Sequence, residues 1–380
     1  MRRTDYLPFA ALAILAAATV RPAQGHPGRF HVGRVNRSWV DSSRRSWQAG
    51  GLRPLQTTIW YPTDDSVRAV DWYRGPPGAP LFRLGVSTLG APIKSKGRYP
   101  LIVLSHGTGG SAAMLGWLGE ALTAEGYVVA AVDHHGNTST ENAPAAAGFT
   151  LWWERATDVS VVIDRILADT ALGPRIDPAA IGVAGFALGG YTALALAGAR
   201  TSVGTWKAFC RSAARDAHEG FCDPQPEFPD LAEAFAKVRG DSAVKASLAR
   251  ESNPFRDVRI RAAYAIAPVG RMFTETSLRA IRLPVRIVVG NADHTAPAGT
   301  NGEYLAARIR GAQFRLVTGA SHYTFLAECG AAGKANFPQL CHELPHVDRD
   351  AIHRIVAADA ISFFNRVLTP APARVPSNDR

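Results

Sequence analysis

Ala187, Asp293 and His322 lie far apart in the chain, yet each follows the end of a short apolar run with the character of a buried strand. In an open parallel sheet, ligands sit beyond the carboxyl ends of the strands, so the three positions point to one crevice. Their order is that of acyl transfer: nucleophile position, acid, histidine. A hydroxyl is a weak nucleophile near neutral pH and needs a histidine to take its proton. The histidine needs a carboxylate on its other nitrogen to fix its tautomer. The oxyanion formed on attack needs N–H donors already in place. The amides of Leu188, just after Ala187, and of Thr108, in the turn His106-Gly107-Thr108-Gly109-Gly110, are the candidate donors. One atom is missing. A strand–turn–helix written G-x-S-x-G is a nucleophile elbow, and Gly185-Phe186-Ala187-Leu188-Gly189 carries a methyl where that chemistry needs a hydroxyl.

The elements that would position these residues follow from periodicity. From Tyr99 onward, apolar runs (100–105, 127–132, 181–186, 262–267, 284–289, 314–317) alternate with helical patterns (112–125, 152–169, 189–199, 303–310, 348–367). On the 152–169 helix, Val159, Val162, Ile163, Ile166 and Leu167 share one face. Such alternation gives an α/β fold, a mostly parallel sheet with helices on both faces. Residues 29–40 and 55–61 read as antiparallel edge strands at the N-terminal side. The Gly- and Pro-rich stretch 64–96 reads as a long irregular loop. Residues 198–255 break the alternation with Pro224, Pro226 and Pro229 and a helical piece near 231–250. This insertion, about 200–255, is expected to be lid-like; a surface decoration is the alternative.

Residues 1–25 have the layout of a secretory signal peptide: Arg2 and Arg3, an apolar run from 7 to 20, then Ala23-Gln24-Gly25. The run falls short of the roughly 20 residues that span a bilayer, which favours cleavage over an anchor. Residues 26–368 are then one domain, followed by a polar, Pro-rich tail at 369–380 that is expected to be mobile. A secreted or periplasmic location follows, with no stable membrane insertion. The net charge of +10 is spread along the chain without a basic stripe or a recognisable module, which argues against nucleic acid as a partner. Cys210, Cys222, Cys329 and Cys341 form two pairs, each twelve positions apart. An even count in an exported chain favours disulfides, and local closure favours Cys210–Cys222 and Cys329–Cys341 among the three pairings. Cys341-His342 with His346 is set aside as a metal cluster, because Pro345 interrupts the helix that would align it.

Taken together, several stretches resemble an α/β-hydrolase of the dienelactone hydrolase-like group, nearest its platelet-activating-factor acetylhydrolase branch. They are 99–110, Val132-Asp133-His134, 185–190, Gly290-Asn291-Ala292-Asp293 and Ser321-His322-Tyr323-Thr324-Phe325-Leu326, with Ile59-Trp60-Tyr61-Pro62 at the edge strand. The resemblance runs from about 50 to 366 and leaves the insertion unmatched. It implies Asp293 as triad acid, His322 as base, the Thr108 and Leu188 amides as oxyanion hole, a small-molecule ester as substrate, and neither metal nor cofactor. His134, Trp152 and Tyr323 are candidates for the substrate pocket, although His134 and His135 also suit a strand end, and Trp152 and Trp153 also suit packing at the rim. His106 is expected to support the oxyanion turn.

The departure is Ala187, where the family carries its serine. Either this chain is an engineered inactive variant, or it is a natural non-catalytic relative that binds a ligand. An amidase or peptidase would use the same triad and stays open. Gly107-x-Gly109-x-x-Ala112 with Asp133 also makes a passable dinucleotide fingerprint, but that function leaves the elbow, Asp293 and His322 unexplained.

Overall fold

Eleven strands form the sheet among the described residues of the computed structural model, which are 30–48, 50–64, 69–216 and 220–368. The signal peptide and the C-terminal tail inferred from sequence lie outside them. In chain order the strands are β1 (His31–Arg45), β2 (Leu52–Thr63), β3 (Val70–Arg74), β4 (Phe82–Leu89), β5 (Tyr99–Ser105), β6 (Val128–Asp133), β7 (Ile176–Phe186), β8 (Ile260–Ile266), β9 (Val285–Gly290), β10 (Gln313–Val317) and β11 (Glu328–Cys329). Their spatial order is β10-β9-β8-β7-β5-β6-β2-β1-β4-β11, with β3 paired to β4. From β10 to β6 every pairing is parallel. β2 then runs antiparallel to β6, and β1 antiparallel to β2.

The apolar runs are continuous because both faces are covered. Leu101 and Val103 enter one core with Val159, Val162 and Ile163 of the helix Glu154–Ala168 and with the elbow helix Leu188–Ala197. Ile102 and Leu104 enter the other, with Leu118 of the helix Gly116–Ala124 and Ile352, Val356 and Phe363 of the helix Arg349–Leu368. The mostly parallel sheet with helices on both faces, read from the alternation, is therefore the one observed.

The stretch 64–96 is not an irregular loop: it holds β3 and β4. Phe82, Leu84 and Val86 alternate inward on β4, but Gly85 at φ 131° and the flanking glycines and prolines obscure the period. A Cβ on Gly116 would come 1.9 Å from the Leu84 carbonyl oxygen, so the following helix lies directly on this strand. The insertion carries three helices, Val203–Asp216, Leu231–Val238 and Ser242–Leu248, of which the first escaped the periodicity.

Both expected disulfides are present, Cys210–Cys222 and Cys329–Cys341, with Cα atoms 5.5 and 5.8 Å apart. Each closes a short loop and stabilises by about 2–3 kcal/mol through the unfolded chain. Such bonds fit an oxidising compartment. No helix among the described residues is long and apolar enough to cross a membrane.

Candidate active site

The elbow begins where β7 ends. Ala187 has φ 52° and ψ −115°, a conformation that costs a non-glycine residue free energy and is held only by its surroundings. Its N–H donates to the Ile266 carbonyl on β8 at 2.9 Å. Two flanking positions must be glycine. A Cβ on Gly185 would lie 2.1 Å from the Gly189 carbonyl oxygen, and one on Gly189 would lie 1.8 Å from that of Ser105. Helix and strands thus meet backbone to backbone, and Leu188 becomes the first helical residue, whose amide has no acceptor within the helix.

The turn after β5 lies against this elbow. A Cβ on Gly107 would approach the Phe186 ring at 3.0 Å and the Ala187 methyl at 3.4 Å. Thr108 follows, half-buried. The turn is held from below by Arg155, a buried guanidinium on the helix Glu154–Ala168. Its Nη1 donates to the His106 carbonyl at 2.6 Å and its Nη2 to the Gly107 carbonyl at 3.3 Å. With both carbonyls drawn towards Arg155, the N–H groups of Gly107 and Thr108 point the opposite way across their trans peptides. Burial lowers the Arg155 pKa to about 9. Asn137 completes the brace by accepting from the Gly109 N–H at 2.6 Å.

Asp293 and His322 arrive on the turns after β9 and β10. The Asp293 Oδ1 accepts the N–H groups of Thr295 at 2.9 Å and Ala296 at 2.7 Å, and its Oδ2 lies 2.7 Å from the His322 Nδ1. With a proton on Nδ1 directed at the carboxylate, Nε2 is left as the acceptor. The His322 ring packs on Phe186, the neighbour of Ala187, with centroids 4.9 Å apart. Ser321 and Thr324 cap the short helical turn that carries His322. Beneath that turn, His353 bonds the Thr324 carbonyl at 2.9 Å and stacks on Trp117 at 4.2 Å. Ala187, Asp293 and His322 are only 7%, 4% and 5% exposed.

The remaining expected site residues divide. Tyr323, half-buried, stands edge-on to His322 at 5.2 Å. Trp152 bonds the Phe149 carbonyl at 2.6 Å and meets Trp206 of the insertion edge-on at 4.9 Å, so it joins the insertion to the body. Trp153 is buried and donates to the Ser247 hydroxyl at 2.9 Å. His106 supports the turn, taking the His134 N–H on Nε2 at 3.1 Å. His135 bonds Glu141 and Ser46 away from the crevice.

His134 is buried and faces inward rather than into the crevice. Its Nε2 lies 2.8 Å from the Ser105 Oγ and its Nδ1 2.9 Å from the Asp158 Oδ2. Ser105, His134 and Asp158 therefore repeat the serine–histidine–acid relay inside the protein, at 0%, 1% and 0% exposure, where no substrate reaches. Asp158 also binds Arg53 at 2.7 and 2.9 Å and Arg44 at 2.6 Å. Burial alone would raise its pKa, but Arg53 and Arg44 outweigh that and hold it well below the usual carboxylate range. Sequence gave no sign of this network, because Arg155 and Asp158 sit on a helix whose apolar face dominates the pattern.

Three histidines are buried without charge. Desolvation lowers His106, and it lowers His134 and His353 to about 3. A histidine in the unfolded chain titrates near about 6.5. The folded state therefore binds fewer protons below that pH, so this stability is present above it and is lost as pH falls towards 3. Asp133 works the other way: burial raises it to about 6, so its contribution is present at low pH and fades as pH rises through 6. Asp158, whose folded pKa is held low, acts in the same direction as the histidines, and together they outweigh Asp133 and Glu227, whose pKa values burial raises. Thermal melts should show a lower Tm at pH 4.5 than at pH 7.5; a higher one at pH 4.5 would contradict the assignment.

Among the described residues no group of histidine, cysteine or acidic side chains is arranged to hold a metal ion. Residues 83–145 match the family described as platelet-activating factor acetylhydrolase, isoform II. The platelet-activating factor acetylhydrolase of Cavia porcellus is 34% identical over 68 residues, which are 17% of this chain and 16% of that protein. The chain thus spans less than a fifth of that relative's length, and the family match at 83–145 contains the 106–110 turn and His134 but not Ala187, Asp293 or His322. The ferulic acid esterase from Streptomyces cinnamoneus superimposes with a TM-score of 0.60 at 23% identity, over 93% of this chain and 94% of that one. The chain accordingly has the α/β-hydrolase fold, and its stretch 83–145 is similar to the platelet-activating factor acetylhydrolases.

Proposed function

We propose that the chain is built as a serine carboxylic-ester hydrolase acting through an acyl-enzyme, with Ala187 standing where the nucleophilic serine works. The observation that carries this is the 2.7 Å contact from Asp293 to His322 beside a strained turn that only an elbow requires. With serine at 187, His322 Nε2 would take the hydroxyl proton as Oγ attacked the ester carbonyl. Asp293 would hold the imidazolium, and the amides of Thr108 and Leu188 would receive the oxyanion. The proton would pass to the leaving alcohol, and water would repeat the sequence to free the acid. No cofactor or metal enters any step, and no nucleic acid is a partner.

As it stands the chain lacks that nucleophile and is expected to be inactive. The intact acid–histidine pair favours an engineered inactivation over a natural ligand-binding relative. Residues 26–368 then form the hydrolase domain, with the insertion as its lid, and the two disulfides fit export to a secreted or periplasmic location. An amidase would need the same groups; the names of the similar proteins, an acetylhydrolase and an esterase, favour esters.

The missing hydroxyl provides a direct test. Phenyl acetate soaked into crystals of the unaltered chain should remain uncleaved, with its carbonyl oxygen within hydrogen-bond reach of the Thr108 and Leu188 amides. An ester bound elsewhere, with that hole empty, would contradict the reading.

A further inference from the structure

We propose that Glu227, carried on the insertion, gives the site a preference for esters bearing a cationic group and against anionic ones. This rests on the hydrolase reading and adds the substrate's charge to it. The insertion crosses the site as a strap. Its start is tied to the acid turn, where the Phe221 N–H donates to the Thr295 carbonyl at 3.0 Å and Cys222 is bonded to Cys210. Its far end reaches Phe149, which meets Phe228 edge-on at 5.4 Å. Between these anchors Glu227 lies on the oxyanion turn: a Cβ on Gly109 would sit 2.8 Å from the Glu227 Cγ.

Glu227 is exposed to solvent on one side and lies against Gly109 of the turn on the other. Its carboxylate is within electrostatic reach of both His322 and Tyr323. No lysine or arginine pairs with it among the described residues, in a chain with 42 such residues. Burial pushes its pKa up, against the pull of its own backbone N–H and then of His322. A carboxylate held partly out of water without a counter-charge gains from any cation that docks beside it. Tyr323 adds an aromatic face, which attracts quaternary ammonium groups. An anionic substrate would meet like charge directly over the oxyanion hole. This is local: the protein as a whole carries +10 and attracts anions at long range.

The test compares 4-trimethylammoniophenyl acetate with its neutral isostere 4-tert-butylphenyl acetate at pH 8 and low salt. The enzyme is the Ala187→Ser variant, with and without Glu227→Gln. The readout is the ratio of kcat/KM for the two esters, so loosening of the strap, which lowers both rates, leaves it unmoved, and intrinsic reactivity cancels between variants. The ratio should fall about fivefold on Glu227→Gln, the size of one exposed charge pair, and Glu227→Asp should restore part of it. A ratio that does not fall overturns the proposal. If Ala187→Ser cleaves neither ester nor p-nitrophenyl acetate, the hydrolase reading fails, and calorimetry of the same two esters on the parent chain decides the charge preference. There a Glu227-dependent advantage for the cation supports it, and equal affinities or no binding overturn it.

Discussion

Ala187→Ser is expected to make the chain an esterase, raising p-nitrophenyl acetate hydrolysis on the order of 10⁴-fold or more over the parent. Removing the nucleophile of a working triad costs about 10⁶ in kcat, and restoring it should recover much of that where the rest is in place. Here the backbone at 187 is already at φ 52°, held by the Ile266 carbonyl and by two glycines that admit no Cβ. Such a conformation stores about 1–3 kcal/mol, supplied by the surrounding sheet and helix, so a hydroxyl placed there needs no rearrangement. In that background His322→Ala should remove most of the gain, and Asp293→Asn about 10⁴-fold of kcat by leaving the imidazole in the wrong tautomer. A folded Ala187→Ser protein that gains nothing would leave the natural ligand-binding relative as the better description.

Asp158→Ala should cost about 3–5 kcal/mol of stability, measured by urea unfolding. One carboxylate pairs with Arg53, shares Arg44 with Asp41 and Glu154, and bonds the neutral His134, and the side chains of Arg53 and Asp158 are 2% and 0% exposed. Deleting one partner of a buried pair leaves the other charge uncompensated in a poor solvent, and that remnant is the main cost. Asp169→Ala offers the contrast, because its partner Arg37 is 31% exposed and the pair is largely screened, worth at most about 1 kcal/mol. Because Asp158 also anchors His134 beneath the oxyanion turn, the same variant should slow Ala187→Ser. A cost for Asp158→Ala no larger than that for Asp169→Ala would contradict this account of the interior.

The parts of the site legible in sequence were those fixed by local backbone demands. Glycines at 185, 189 and 190 around a single odd residue announce a turn between strand and helix, and the strand ends before Asp293 and His322 show plainly as buried apolar runs. The disulfides were legible because twelve-residue loops close cheaply. What did not show were contacts that depend on distant pairing. β4 hides behind Gly85 and its neighbouring prolines, since its period emerges only when Gly116 packs against Leu84. Arg155 and Asp158 share a helix with Val159 and Val162, and a sequence pattern cannot tell a buried cation that clamps two carbonyls from an exposed one. Glu227 lies in a Pro-rich stretch with no period at all, and only the crossing of the strap places it over Gly109.

The central claim is that position 187, and no other serine site, holds the reacting atom. Diisopropyl fluorophosphate reacts with activated serines, so the Ala187→Ser chain should gain one diisopropylphosphoryl group, and peptide mass mapping should place it on residue 187, while the parent chain stays unlabelled. A folded Ala187→Ser chain that takes up no label, or label found on Ser105 of the buried relay, would contradict the account.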